Sequence, residues 1–312
     1  RLPTLEGMRR RGYTPGSIRN FCDIIGVSKK ESRIDMGLLE SCLRDDLNES
    51  APRVMGVIRP LKVTIENYPE DKEETLEAMN HPQKPEMGKR PVTFSKEIWV
   101  EQDDFMEDPP KKFFRLGPGR EVRLRAAYLV TCKEIIKDET GKVIELICTY
   151  DPETRGGNAP DGRKVKGTIH WVNARDCMDA QVRLYDRLFK DENPEQGGQD
   201  FMENLNPGSL EILENCKLEK SLSRAEPEKA YQFERLGYFC LDSRDSTPDK
   251  PVILRFERRA IPMFIGEYKL KSLITFDADR RIFNHLKFNY RSIGRKFIND
   301  DTGNLLRQHT RS

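Results

Sequence analysis

The residues best suited to chemistry lie in one stretch, "KKFFRLGPGREVRLR" (111–125), which holds six Lys or Arg against a single acid. Arg123 and Arg125 stand two apart and alternate with Val122 and Leu124. In a β-strand such residues share a face about 6.6 Å apart, close to the phosphate spacing of an extended single nucleic-acid strand. Each guanidinium is a rigid fork suited to phosphate oxygens or to a guanine edge. Phe113 and Phe114 precede Arg115, and rings beside Arg form platforms for unstacked bases. "DGRKVKGTIHW" (161–171) adds a second basic strand. These residue types fit a groove for single-stranded nucleic acid. They also fit a solvated sheet face with Arg–Glu pairs across strands and one of the two Phe in the core.

The basic stretch follows "EQDDFMED" (101–108), whose five acids cancel its net +5. The whole chain carries 54 Lys or Arg against 52 Asp or Glu, a net +2. Charge is therefore balanced locally, and partners must be read from patches rather than from the total.

Composition narrows the function classes. At 312 residues, 34% charged and 36% hydrophobic, the chain is a globular type long enough for one large domain or several smaller ones. No apolar run approaches the roughly 18–20 residues that span a bilayer, and "RLPTLEGMRRRGYTP" has no apolar core of the secretory kind. The first residue is not Met, so the chain is expected to begin inside a longer protein. The seven Cys (22, 42, 132, 148, 177, 216, 240) never form C-x-x-C, and the four His are scattered. No metal site is expected, and reduced, buried thiols in a cytoplasmic protein are.

Catalytic signatures are missing from these 312 residues. There is no G-x-x-x-x-G-K-[ST], no strand–G-x-G-x-x-G–helix unit, no G-x-S-x-G and no H-E-x-x-H. "LGPG" (116–119) reads as a turn. With 52 acids, no carboxylate pair can be singled out. No catalytic residue is assigned.

The elements that must position the arginines are mainly strands behind a helical start. In "YTPGSIRNFCDIIG", Thr14 suits an N-cap, Pro15 the first helical position and Gly26 the stop. Ile18, Phe21, Cys22 and Ile25 follow helical spacing. A second helix fits "DMGLLESCLRDDLN", with Leu39, Cys42, Leu43 and Leu47 on one side and Asp46 breaking that face. After Pro52 the pattern turns to period two in seven runs from "RVMGVIRPLKVTIENY" to "KAYQFERLGYFCLDS". "DETGK" is a tight-turn candidate through Gly141. Residues 67–89 and 151–163 read as loops. The fold class is mainly β with an N-terminal helical subdomain, of sandwich or barrel type.

Longer matches then carry a resemblance. "GMRRRGYTPGSIRNFC", "LRDDLNESAPRVMGVIRPLKVTIENY", "FSKEIWVEQDDF", "RLGPGREVRLRAAY", "DGRKVKGTIHWV", "VRLYDRLF" and "QFERLGYFCLDSR" closely resemble, in order, the C-terminal half of the glutaminyl-tRNA synthetase family. The resemblance covers about residues 1–252. It implies a helical subdomain (1–52) followed by two antiparallel β-barrels (53–252) that bind the anticodon arm of tRNA(Gln). The distal barrel is expected at approximately 100–185, with the proximal barrel built from the flanking parts.

By matching motif, the resemblance places anticodon contacts at Asn48, Arg53, Arg115, Arg123, Arg125, Gln232 and Arg235. Arg53, Gln232 and Arg235 would serve the middle base and Arg115 the third. Arg123 and Arg125 would lie near the first base and its phosphates, with Asn48 the weaker candidate. Phe114 stands where some members carry Lys, and Gln83 where some carry Asn.

The family's ATP signatures, a His-Ile-Gly-His turn and a Met-Ser-Lys loop, are not in this sequence. No cofactor is therefore expected for these residues, and ATP with Mg is expected for the family's catalytic domain. The partner implied is tRNA(Gln), not DNA or membrane, with a monomeric, cytoplasmic protein. A glutamyl-tRNA synthetase with similar barrels, or a tRNA-binding protein without catalysis, are the alternatives. "GYFCLDS" and "APRVMGV" favour the glutaminyl form. Residues 253–312 match nothing in the family, and from Arg255 onward they carry 13 Lys or Arg against 6 acids. A basic RNA-contacting appendage and a segment joined from elsewhere are both open, the second preferred.

Overall fold

The helices begin where the sequence caps them. A computed structural model describes residues 4–27, 34–156, 159–191 and 200–256. Helix α1 spans Leu5–Arg10, α2 spans Pro15–Ile25 and α3 spans Met36–Ser50. The Thr14 hydroxyl oxygen accepts from the Ser17 amide at 3.0 Å, and Gly26 closes α2 at φ 65°. Asp46, the break in α3's apolar face, accepts from the Thr14 hydroxyl at 2.6 Å. A polar residue on that face thus fastens α3 to the N-cap of α2. Ile18, Phe21, Leu39, Cys42, Leu43 and Leu47 are buried together beside it.

The strands follow in chain order. They are β1 (Arg53–Val54), β2 (Gly56–Val57), β3 (Pro60–Ile65), β4 (Glu74–Met79), β5 (Lys89–Phe94), β6 (Glu97–Glu101), β7 (Glu121–Leu124) and β8 (Leu129–Lys137). Then come β9 (Val143–Asp151), β10 (Thr168–Ile169), β11 (Val172–Asn173), β12 (Met178–Tyr185), β13 (Leu210–Leu218), β14 (Ala230–Phe233), β15 (Gly237–Leu241) and β16 (Val252–Arg255).

Two barrel-like sheets result. The first has the order β10-β7-β8-β9-β3-β6-β11, and the second β1-β14-β15-β16-β12-β13-β2. Most ladders are antiparallel, as expected, but β1–β14, β7–β10, β3–β9 and β12–β16 run parallel. Trp171, Phe94, Tyr68 and Ile98 fill the first barrel, and Phe233, Phe239 and Val182 the second. Each such side chain contributes about 1.5–3 kcal/mol by leaving water.

Three expectations need correction, and one strand is absent from the expected runs. The first barrel is not confined to approximately 100–185: β3 (Pro60–Ile65) is one of its inner strands, and β12 (Met178–Tyr185) belongs to the second sheet. The stretch 67–89 is not all loop. It contains β4, paired with β5, whose Leu76 and Ala78 are buried while Glu77 and Met79 face out. The acids around Leu76 and Ala78 hide this alternation. Strand β13 escapes notice because two of its residues, Glu214 and Asn215, oppose Gln181 alone, with Asn215 at φ 59°. Such a bulge breaks period two.

Finally, the barrel does not end at 252. Strand β16 pairs with both β12 and β15, and Phe256 is fully buried. A Cβ on Gly12, at φ 86°, would lie 2.5 Å from the Phe256 ring. The helical subdomain therefore closes on residues past that boundary. The expected basic tail from 257 on lies outside the described residues.

Candidate nucleic-acid interface

Strands β1 and β14 come from distant parts of the chain, and their parallel register places Arg53 opposite Gln232. The Arg53 guanidinium donates to the Ala51 carbonyl at 3.0 Å and reaches the Asn48 carbonyl at 3.3 Å. The same Asn48 carbonyl accepts from His81 Nε2 at 2.8 Å. The Gln83 amide donates to His81 Nδ1 at 3.2 Å, so Nε2 must carry the proton. Asn48's side-chain oxygen accepts from the Tyr238 hydroxyl. Gln232 Oε1 is buried and has no hydrogen-bond partner among the described residues. Asn48, Arg53 and Gln232 therefore form one cluster at the β1 edge of the second sheet.

Arg115 and Arg235 meet elsewhere, on Asp104. Arg235 lies in the turn joining β14 to β15, at φ 67°. Its two terminal nitrogens donate to Asp104 Oδ2 and Oδ1 at 2.6 and 2.7 Å. Arg115 Nε lies 3.4 Å from Oδ1, and its Nη1 donates to the Asp103 carbonyl at 2.8 Å. The Asp104 side chain is 2% exposed. Arg115 also lies over the buried Phe113 ring, 5.7 Å from its centre.

Arg123 and Arg125 donate their amides to the Gly167 and Ile169 carbonyls, each at 2.9 Å. Arg123 lies within β7, whereas Arg125 opens the turn that follows it, where the Leu124 carbonyl accepts from the Ala127 amide at 3.0 Å and Ala126 takes φ 59°. Arg125 is exposed and lies 3.3 Å from Glu234, whereas Arg123 is half-buried. Arg125, Lys166, Thr168, Ile169, His170, Glu234 and Arg235 line a cleft of about 340 Å³ where the two sheets meet. His170 is buried at its floor, and neither ring nitrogen has a hydrogen bond among the described residues.

Of the two adjacent Phe, 113 is core and 114 is 50% exposed, with Lys166 Nζ 5.1 Å over its ring. Gly167 lets this loop approach, since a Cβ there would lie 2.2 Å from the Phe114 carbonyl oxygen. The arrangement can present guanidinium forks, an ammonium and an aromatic face to one extended polyanion with splayed bases.

Residues 51–151 and again 168–242 match the description "tRNA synthetases class I (E and Q), anti-codon binding domain". The chain belongs to this family. It is 56% identical over 255 residues to the glutamine–tRNA ligase of Bradyrhizobium diazoefficiens, covering 82% of the chain and 45% of the relative. It is 54% identical over 257 residues to those of Pseudomonas putida and Clostridium perfringens, covering 82% of the chain and 45% and 46% of the relatives. The chain thus spans less than half the length of these ligases.

Within the anticodon-binding family match fall Arg53, Arg115, Arg123, Arg125, Gln232 and Arg235, while Asn48 precedes it. Lys166 belongs to the basic strand legible in "DGRKVKGTIHW", whereas nothing local in the sequence singles out Asp104, Glu234 or His170. Asp104 stood in plain view in "EQDDFMED", where it was counted as charge balance and not as a partner. Glu234 sits inside "YQFER", between two residues already singled out.

Proposed function

We propose that this chain is the tRNA-recognition half of a glutamine–tRNA ligase, holding the anticodon arm of tRNA(Gln) across the junction of its two barrels. The observation that carries this reading is the convergence of Arg125 and Arg235 on one cleft, with Arg115 beside them on Asp104. Glutamine codons require U and G at the middle and third anticodon positions. Guanine offers the O6 and N7 acceptors that suit an Arg fork. Of five guanidinium N–H donors, Arg235 gives two to Asp104 and retains three. Gln232 adds an acceptor beside the donors of Arg53, a combination suited to the mixed donor and acceptor edge of uracil. Arg123 and Arg125 supply phosphate contacts on the neighbouring face.

ATP-dependent attachment of glutamine, with Mg, is assigned to the portion of the ligase length outside these residues. The chain acts as a monomer in the cytoplasm, on RNA rather than DNA. The family description covers glutamate and glutamine enzymes alike, and the glutamine form is favoured by the named relatives.

The test is equilibrium binding of the 312-residue chain to transcripts of tRNA(Gln) and tRNA(Glu), with the tRNA(Gln) anticodon stem-loop as competitor. Preference for tRNA(Gln) and displacement by the stem-loop are expected. Preference for tRNA(Glu) would favour the glutamate enzyme, and failure of the stem-loop to compete would move the contact away from the anticodon.

A further inference from the structure

Asp104 is fixed before either arginine reaches it. Strand β6 ends in Glu101, whose buried carboxylate accepts from the Ile58 and Arg59 amides at 2.6 and 3.1 Å. The next residue, Gln102, donates its amide to the Arg59 carbonyl at 2.9 Å and opens a single 3₁₀ turn ending at Asp104. The Asp104 carbonyl then accepts from the Leu116 amide at 2.9 Å, which brings Arg115 alongside. The first barrel therefore sets both the carboxylate and one of its arginines.

The second arginine comes from the other barrel and pays in backbone strain. Arg235 takes φ 67°, a left-handed conformation that is disfavoured for a side-chain-bearing residue. Strained residues persist where surroundings over-determine them and are frequent at functional sites. Here the turn is closed by the Leu236 amide, which donates to the Phe233 carbonyl at 3.0 Å, and the side chain it carries is held by the two-pronged pair with Asp104. Its Oδ1 is shared by Arg235 Nη2 at 2.7 Å and Arg115 Nε at 3.4 Å. Two like-charged forks could not lie so close around a neutral group without repelling.

We propose that Asp104 is a positioning residue for anticodon reading, holding Arg115 and Arg235 as one unit so that the third and middle bases are read together. The proposal rests on the anticodon-reading function proposed above. It predicts that discrimination at the two positions is coupled, although the two arginines belong to different barrels.

The test measures discrimination, the ratio of Kd for tRNA(Gln) carrying a substituted middle or third base to Kd for the unsubstituted tRNA. Asp104→Asn is expected to lower discrimination at both positions by at least about fivefold, the lower end of what one bidentate contact confers. Because that variant leaves two neighbouring guanidinium groups without their shared carboxylate, a second series starts from Arg235→Gln, which lowers middle-base discrimination by removing a reader. Adding Asp104→Asn to it leaves a neutral Asn–Gln pair and is expected to lower third-base discrimination at least about fivefold further. Third-base discrimination that does not fall on that addition would overturn the proposal. So would an equal loss of affinity for every anticodon, the mark of a structural role alone. If the unaltered chain binds all anticodons alike, the proposed function itself fails, an outcome distinct from either.

Discussion

The guanidinium of Arg125, from the first barrel, lies 3.3 Å from the carboxylate of Glu234, from the turn that carries Arg235. A phosphate arriving at Arg125 must compete with that carboxylate. Glu234→Gln is therefore expected to tighten binding to cognate and non-cognate tRNA alike and to steepen its salt dependence. Arg125→Ala is expected to weaken both and to make the slope of log K against log salt shallower by about 0.7. Salt titrations of both variants check the pair. A change confined to one anticodon would make Arg125 a base reader instead.

A buried ion pair also joins the β4–β5 hairpin to the end of β13. Arg90 of β5 donates to both oxygens of Glu219 at 2.6 and 3.0 Å, with 9% and 6% of the side chains exposed. Glu219 also accepts from the Met55 amide at 2.8 Å. Replacing one partner leaves a buried charge without its counter-ion, which costs about 3–5 kcal/mol. Arg90→Leu is expected to lower unfolding free energy in urea by that order. A loss below about 1 kcal/mol, typical of surface pairs, would show the pair to be solvated.

Acid should loosen the first barrel through Glu74. Burial alone would raise this carboxyl, but hydroxyls of Tyr128 and Tyr68 donate to it at 2.7 and 2.9 Å, and Lys72 and Arg155 lie near. The net result is a carboxyl held below its ordinary 4.5. A group that ionises more readily folded than unfolded adds stability that is complete above the ordinary value and disappears as pH falls through the lowered one. Melting temperature should therefore fall below about pH 4.5. In Glu74→Gln that limb should be flatter, with lower stability at neutral pH. Identical acid limbs would remove Glu74 from the account.

Much of the barrel architecture is legible because period two survives wherever one face is buried, as in β3 and β7. It fails where acids crowd Leu76 and Ala78, in β4, and where a bulge shifts the phase, in β13. The arginines are legible as chemistry, since fork and spacing are local properties. Their partners are not: Asp104 and Arg235 are 131 residues apart, and Arg90 and Glu219 are 129. Periodicity carries no information about pairs that only sheet closure brings together. The same holds for His170, whose neighbours in "TIHW" say nothing of the cleft above it.

Activity measurements bear on the division of labour. These 312 residues are expected to show no glutamine-dependent exchange between ATP and pyrophosphate, with or without tRNA, since neither ATP signature is in the sequence. Exchange above background from purified protein would contradict that assignment.

The measurement that tests the central claim most directly is binding of the chain and its Arg115→Lys variant to tRNA(Gln) with the native or a substituted third anticodon base, across a range of salt. Lys keeps the charge and loses the planar fork. The account predicts that the unaltered chain prefers the native base, and that Arg115→Lys erodes this preference by roughly 1–3 kcal/mol while leaving the salt slope almost unchanged. Equal weakening toward both tRNAs, or no preference in the unaltered chain, would contradict it.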